Sequence, residues 1–163
     1  MKLLKIITCM LLTVVILNSS FAVHAFAAEE TPIVDFEVEV IPMFEASSHS
    51  GMGGRSTTFL DTSISIAYSA EGMHVTIYTD LNDFGSVVGA RDVKIQKKGL
   101  FGIWTTIATS DGGEVTNASG CILSFTYPDV ELGETYRITC IHYGNVDEYR
   151  ELYHETEGFT CVY

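Results

Sequence analysis

Positive charge is scarce in this sequence. Lys and Arg together number 9 against 21 Asp and Glu, and the formal net charge is −12 over 163 residues. Such an acidic chain repels nucleic acid and anionic membrane or cell-wall polymers, so we exclude nucleic acid as a partner. Cationic partners, neutral glycans and divalent metals are compatible with such a negative electrostatic potential. The same charge also keeps a protein soluble.

The common catalytic motifs are also missing. The sequence contains no Gly-x-Ser-x-Gly, the motif that presents the nucleophile of many hydrolases. The segment His154-Glu155-Thr156-Glu157 begins like a zinc-protease helix, but Gly158 stands where the second histidine is needed. The stretch Gly51–Gly54 lacks the lysine of a phosphate-binding loop. We therefore predict a protein without catalytic residues, metal or cofactor, and keep a small extracellular hydrolase as an alternative.

Tryptophan and helical periodicity are sparse as well. Trp104 is the single Trp of the chain. Sugar-binding surfaces generally use several exposed aromatic rings, so a glycan-binding module is retained only as an alternative. Because apolar residues hardly ever recur at a helical spacing, the sequence disfavours helices and favours strands.

The N-terminus has the three parts of a secretory signal peptide. Lys2 and Lys5 precede a largely apolar run, Ile6–Leu17, and the segment closes on Ala25-Phe26-Ala27. The run is shorter than the roughly 20 residues of a membrane span. We therefore predict cleavage after residue 27, export, and no membrane anchor in the mature chain. Without Lys2 and Lys5, 7 basic residues face 21 acidic ones, a net of −14.

Alternation of apolar and polar residues predicts strands through the rest of the chain. Residues 28–54 contain one such strand, with Val34, Phe36, Val38 and Val40 on one face, followed by a Gly/Ser-rich linker at 46–54. Residues 55–163 contain seven more, with turn signals between them. These strands centre on residues 63–68, 74–78, 92–96, 103–108, 121–127, 136–140 and 159–163. Seven short strands in one domain predict an all-β fold, an antiparallel β-sandwich.

A tyrosine at the start of the sixth strand narrows this prediction. Tyr136 follows the turn at Leu132-Gly133, where immunoglobulin and fibronectin type III sandwiches keep a corner tyrosine that bonds back to the preceding backbone. Residues 55–163 thus resemble a single domain of that superfamily. The leader, the Arg55-Ser-Thr-Thr58 segment, the Gly99–Trp104 hairpin and the turn before Tyr136-Arg137 also resemble small exported proteins of Gram-positive, clostridia-like bacteria. The resemblance implies a fold and a compartment, but no catalytic residues.

Three cysteines remain after the leader: Cys121, Cys140 and Cys161. An odd number in an oxidising compartment leaves at least one thiol free or paired between chains. In the fibronectin type III order the sixth and seventh strands are neighbours, so the resemblance implies Cys140–Cys161 as the easiest pair. A Cys121–Cys140 bond between sheets and three buried thiols are the alternatives.

The connection from Gly144 to Glu157 is the most suggestive surface. Read as a loop, it is about three times the usual length of a hairpin loop. It mixes tyrosines with carboxylates, a composition typical of recognition loops. The candidate contact residues are Asp147, Glu148, Tyr149, Glu151, Tyr153, His154 and Glu155. The alternative is that the hairpin simply extends, with Tyr149 and Tyr153 as strand residues.

Three further alternatives stay open. The strand within Ile33–Ile41 either joins its own sheet or adds to the edge of another molecule, giving a strand-addition oligomer. Asp80–Gly85 has the composition of a looser calcium loop, although an Asx-rich turn is the better explanation. His142 and His154 lie near Cys140 and Cys161 in sequence and suggest zinc, but without tight ligand spacing.

Taken together, the sequence predicts a secreted, non-catalytic β-sandwich that binds an unknown extracellular partner. A secreted antimicrobial or toxin-like protein is the first alternative.

Overall fold

The structure, a computed structural model, describes residues 33–44 and 58–162. The predicted leader at 1–27 and the linker at 46–54 lie outside the described residues. The described residues fall in one compact unit, Pro32–Tyr163. They contain strands and one short 3-10 turn (Leu100–Gly102) but no α-helix, so the all-β prediction is confirmed. Among them, no helix is long and apolar enough to cross a bilayer.

Eight strands follow one another along the described chain. They are β1 (Val34–Asp35), β2 (Glu39–Met43), β3 (Phe59–Ser69), β4 (Gly72–Lys98), β5 (Trp104–Tyr127), β6 (Thr135–Asn145), β7 (Tyr149–Glu155) and β8 (Phe159–Thr160).

The strands form one open, mixed sheet with the order β1-β5-β4-β6-β7. Off this path, β2 pairs with β5, β3 with β4, and β8 with β6. Every pairing is antiparallel except the parallel pair β1–β5. Because β1 and β2 both pair with β5 of the same chain, the strand predicted at Ile33–Ile41 joins its own sheet.

Two of the strands are much longer than the sequence predicted. The predicted strands at 74–78 and 92–96 are parts of β4, and those at 103–108 and 121–127 are parts of β5. The segment Asp80–Gly85 shifts the β4–β5 register without ending the strand. Gly112, which looked like a turn residue, adopts φ +87 inside β5. Residues that suit turns also suit a register shift within a strand, as at Asp80–Gly85, whereas β5 passes Gly112 in unbroken register with β4.

The core forms where two parts of this sheet meet. The first arm comprises β2, β3, β4 up to Asp80 and β5 from Gly120; the second comprises the rest of β4 and β5 with β6, β7 and β8. Alternate side chains of both arms are fully buried, among them Met73, Val75, Ile77, Val88, Val93, Ile95, Leu123, Tyr136 and Ile138. Contacts cross between the arms: the ring centres of Tyr68 and Phe159, for example, lie 6.3 Å apart.

Candidate functional site: the tyrosine face of the β6–β7 hairpin

The connection from Gly144 to Glu157 is a strand hairpin and not a long loop. β7 pairs with β6 from Asn145↔Tyr149 to Thr139↔Glu155, and only residues 146–148 form the turn between them. The loop interpretation was therefore wrong, and the extended-hairpin alternative describes the chain. Tyr and Leu favour strands, and a solvated edge accepts the charged residues between them.

The alternation of β7 divides the candidate residues between two faces. Tyr149, Glu151, Tyr153 and Glu155 share one face, whereas His154 points to the other. Asp147 and Glu148 lie in the turn and are exposed. The structure thus groups the two tyrosines with two carboxylates and separates His154 from them.

Tyr149 and Tyr153 are exposed but held in place. Their side chains are 50% and 59% exposed. The Tyr149 hydroxyl donates a hydrogen bond to Glu151 (2.8 Å), and the Tyr153 hydroxyl donates one to Glu155 (3.0 Å). Each ring therefore presents a fixed apolar surface to solvent.

Two arginines from other strands fix the carboxylates in turn. Arg91 of β4 lies 2.7 Å from Glu151, and Arg137 of β6 lies 3.2 Å from Glu155. Isolated surface ion pairs stabilise a fold by at most about 1 kcal/mol. Here their effect is positional, because each arginine connects a tyrosine-bound carboxylate of β7 to another strand of the same sheet.

Tyr143 forms the floor beneath Tyr149. It is 7% exposed, its ring centre lies 6.0 Å from that of Tyr149, and its hydroxyl donates to Glu114 (2.8 Å). The ring lies against Gly89 of β4, where a Cβ atom would come within 2.8 Å of the tyrosine hydroxyl. We call Tyr143, Tyr149, Glu151, Tyr153 and Glu155, with Arg91 and Arg137, the tyrosine face.

The tyrosines of this face remain protonated donors at neutral pH. Burial, followed by the hydrogen bond to Glu151, raises the pKa of Tyr149. Burial and the hydrogen bond to Glu155 raise the pKa of Tyr153 in the same way, and burial raises that of Tyr143. The face therefore offers neutral hydroxyls, carboxylate oxygens and aromatic surface to a partner.

Trp104 lies next to this face but is not a free platform. It is half-buried, with the Arg137 guanidinium 4.7 Å and the Lys98 ammonium 5.7 Å from the ring centre. Arg137 also donates to Gln96 (2.6 Å). A ring already engaged by two cations gives the glycan-binding alternative little support.

The opposite face of the hairpin contains a buried histidine cluster. His142 is fully buried, with Nδ1 2.7 Å from Thr79 Oγ1, Nε2 3.1 Å from His154 Nδ1, and Nε2 3.5 Å from Cys140 Sγ. No group of three potential metal ligands occurs among the described residues, this cluster included. The zinc and calcium alternatives therefore find no support there. Asp80, first residue of the calcium candidate, is buried in β4.

Cys121, Cys140 and Cys161 are all buried and free in the structure. This is the three-thiol alternative, and the structure does not join Cys140 to Cys161 or to Cys121. Burial raises the pKa of Cys121 and of Cys140 to about 12, so both thiols are poor nucleophiles.

An acidic groove of about 440 Å³ lies between the β1–β2 connection and the middle of β5. Asp35, Glu37 and Asp111 line it, and Thr109 donates to Asp35 (2.9 Å). The sequence contains no local signal of this groove, because the paired residues of β1 and β5 are about 75 positions apart along the chain.

No protein-family model and no curated protein matches this chain. The function must therefore be inferred from the arrangement of its own side chains.

Proposed function

We propose that the chain is a secreted, non-catalytic β-sandwich of the immunoglobulin and fibronectin type III kind that binds an extracellular partner through the tyrosine face. The proposed activity is recognition, with no chemical step and no cofactor.

One observation carries this proposal. Tyr149 and Tyr153 lie on the same face of the edge strand β7, with Glu151 between them, about half exposed and each with its hydroxyl bonded to a carboxylate. Tyr and Arg are enriched at protein interfaces because they combine apolar area with hydrogen bonding. Rings that are fixed before binding lose little conformational entropy when a partner docks.

The charge of the chain restricts the partner. The described residues contain 18 acidic and 6 basic side chains, a net of −12. Such a surface repels polyanions and attracts cationic or neutral partners. We therefore expect a neutral or basic protein surface opposite the tyrosine face.

Support for the sandwich comes from the corner at Tyr136. The Tyr136 hydroxyl accepts a hydrogen bond from the Glu131 backbone N–H (2.9 Å), five residues earlier, which is the contact of a corner tyrosine. Contacts between the two arms, such as Thr79 with His142, are those expected of packed layers. The leader at 1–27 supports export.

Binding to intact cells tests the proposal. The secreted chain, purified from the culture medium of an expression host and labelled at its amines, is titrated onto Gram-positive cells and onto cultured animal cells, with flow cytometry as the readout. We expect saturable binding to one of them and at least a tenfold loss of affinity in the double variant Tyr149→Ser/Tyr153→Ser.

The matched control is Ile41→Ser/Leu60→Ser, which removes two apolar side chains, 43% and 41% exposed, on β2 and β3 of the first arm, whereas the tyrosine face lies on the second arm. This control should bind like the unmodified chain. Saturable binding that both double variants retain, or that neither cell type shows, would overturn the proposal.

A further inference from the structure

The most exposed large apolar residues of the described chain lie at one end of the sheet. Among the large apolar residues of the described chain, the five with the highest exposed fractions are Phe101 (95%), Leu100 (84%), Val162 (72%), Leu132 (66%) and Ile103 (65%). We call these five residues the apolar end. Single exposed apolar residues are ordinary, but a contiguous group of them usually marks an interaction site.

The sheet brings these residues together from three segments. Leu100, Phe101 and Ile103 form the tip of the β4–β5 hairpin, beyond the pair Lys98↔Trp104. The neighbouring Lys97 ammonium lies 2.9 Å from Glu131, which precedes Leu132. The Gly133 N–H donates to the carbonyl of Cys161 (2.8 Å), which precedes Val162.

Two backbone hydrogen bonds close the hairpin tip. The Gly99 N–H donates to the Ile103 carbonyl (2.8 Å), and the Gly102 N–H donates to the Gly99 carbonyl (3.2 Å). An unsatisfied backbone group costs several kcal/mol in hydrocarbon, so these two bonds lower the cost of placing the tip at the boundary of a bilayer. Phe101 adopts φ +62, a left-handed conformation that is unfavourable for a bulky side chain and directs the chain around the tip.

Cations and the single tryptophan surround the base of the tip. Four of the six basic residues of the described chain lie near this end of the sheet. They are Lys94, Lys97 and Lys98, within the last five residues of β4, and Arg137, which pairs with Gln96 near the start of β6. Lys98 and Arg137 both approach the ring of Trp104. Trp and long basic side chains concentrate at the boundary between lipid and water, where the ring and the alkyl stem are buried and the polar ends stay wet.

We propose that the apolar end inserts into the surface of a zwitterionic phospholipid bilayer. The tip enters the headgroup and acyl boundary, Trp104 lies at that boundary, and Lys98 reaches the lipid phosphates. The net charge of −12 over the described residues disfavours strongly anionic lipid, which is why the proposal specifies zwitterionic lipid. A protein partner is the less suitable occupant, because a tryptophan held between two cations at the base of the tip matches the headgroup layer of a bilayer.

Trp104, the only Trp of the chain, makes the test direct. The secreted chain is mixed with phosphatidylcholine vesicles, and binding is measured by co-sedimentation and by Trp fluorescence, with brominated lipids as quenchers. We expect co-sedimentation, a blue shift of the emission and quenching by lipids brominated near the headgroup. The variant Phe101→Asn should bind at least tenfold more weakly, since it removes the apolar ring while asparagine tolerates the left-handed conformation.

Phe84→Asn is the matched control, because Phe84 is 49% exposed near Asn145, at the other end of β6. It should bind vesicles like the unmodified chain, as should Tyr149→Ser/Tyr153→Ser. Every variant carries the same N-terminal region, so any contribution of the run Ile6–Leu17 is common to all. No sedimentation at millimolar lipid, or equal binding by Phe101→Asn, would overturn the inference and leave the tyrosine face unaffected.

Discussion

His142 and His154 face each other across the β6–β7 hairpin, with Nε2 of the first 3.1 Å from Nδ1 of the second. His142 Nδ1 lies 2.7 Å from Thr79 Oγ1 on the other arm. With a neutral His142 the chain of hydrogen bonds forms in either direction: His154 donates to His142 and His142 to Thr79, or Thr79 donates to His142 and His142 to His154. This chain of hydrogen bonds connects the edge strand β7 through the core to β4, and the burial of His142 favours its neutral form.

Folding stability should therefore fall as the pH drops from about 6.5 to 4. Burial, followed by the repulsion of a charged His154, lowers the pKa of His142 from 6.5 to about 4. In this window the unfolded chain binds a proton at this histidine and the folded chain does not, so acid favours unfolding. The shift corresponds to a loss of about 3 kcal/mol. Urea unfolding at several pH values between 7.5 and 4.5 measures it.

Carboxylates also titrate near the lower end of this window, so variants are needed to isolate the histidine. His142→Gln should flatten the pH dependence relative to the unmodified chain, even though it lowers stability at pH 7. His74→Gln, which changes a half-buried histidine bonded to Ser69 and Thr126, should keep the original slope. Equal slopes in all three proteins would contradict the prediction.

Gly89→Ala should destabilise the fold by about 2 to 3 kcal/mol, because there is no room for a side chain beneath Tyr143. A Cβ atom at this position would overlap the carbonyl oxygen of Gly113 and come within 2.8 Å of the Tyr143 hydroxyl. Backbone on one side and a ring bonded to Glu114 on the other leave little freedom to adjust. Thermal unfolding followed by circular dichroism gives the measurement.

Gly99→Ala is the control for this substitution. Gly99 has φ −88, and the nearest atom to an added Cβ is the Ile103 carbonyl oxygen at 3.5 Å. We expect a change within about 0.5 kcal/mol. If Gly89→Ala were as mild, the close packing of Tyr143 on β4 would be refuted.

The sequence predicted the class of the fold because alternation is a local signal. Val75 and Ile77, or Ile138 and Cys140, are spaced by two and are buried together. The same reasoning failed at the strand ends. Gly112 at φ +87 is chemically a turn residue, and the sequence does not reveal that β5 continues through it in unbroken register with β4.

The candidate site was predicted only in part, because only some of its features leave a local signal in the sequence. Tyr149 and Tyr153 stand out by composition, although the segment was assigned as a loop. Their partners could not be identified, because Arg91 meets Glu151 across 60 residues of sequence. The burial of His142 gave no local signal either, since it depends on the two arms packing together.

Tyr136→Phe should lower the free energy of unfolding by about 1 kcal/mol. The substitution keeps the ring that packs 6.5 Å from Phe159 but removes the buried hydroxyl that accepts the hydrogen bond of the Glu131 N–H. Chemical denaturation is a suitable measurement, with Tyr153→Phe as the control, since that hydroxyl bonds at the exposed surface. An unchanged midpoint for Tyr136→Phe would mean that the corner contact contributes nothing to stability.

Thiol titration should find three slow thiols in the secreted, folded chain. Cys121, Cys140 and Cys161 are buried and free, and burial raises the pKa of the first two to about 12. At pH 8 a thiol with this pKa is about one part in 10⁴ thiolate, the reactive form. We therefore expect almost no rapid reaction with a disulfide reagent in the native state, and three equivalents once the chain is unfolded without reductant.

The number of thiols that react once the chain is unfolded discriminates between three free cysteines and a disulfide bond. A Cys140–Cys161 bond, which the resemblance to fibronectin type III domains implied, would leave one reactive thiol and lower the intact mass by about two hydrogen atoms. The intact mass also shows whether Cys9 of the predicted leader is present and must be counted. Because export exposes the chain to oxidants while it is still unfolded, three free thiols require that burial precede oxidation. A single released thiol would show that the disulfide forms first and that the buried, unpaired arrangement is not the state of the secreted protein.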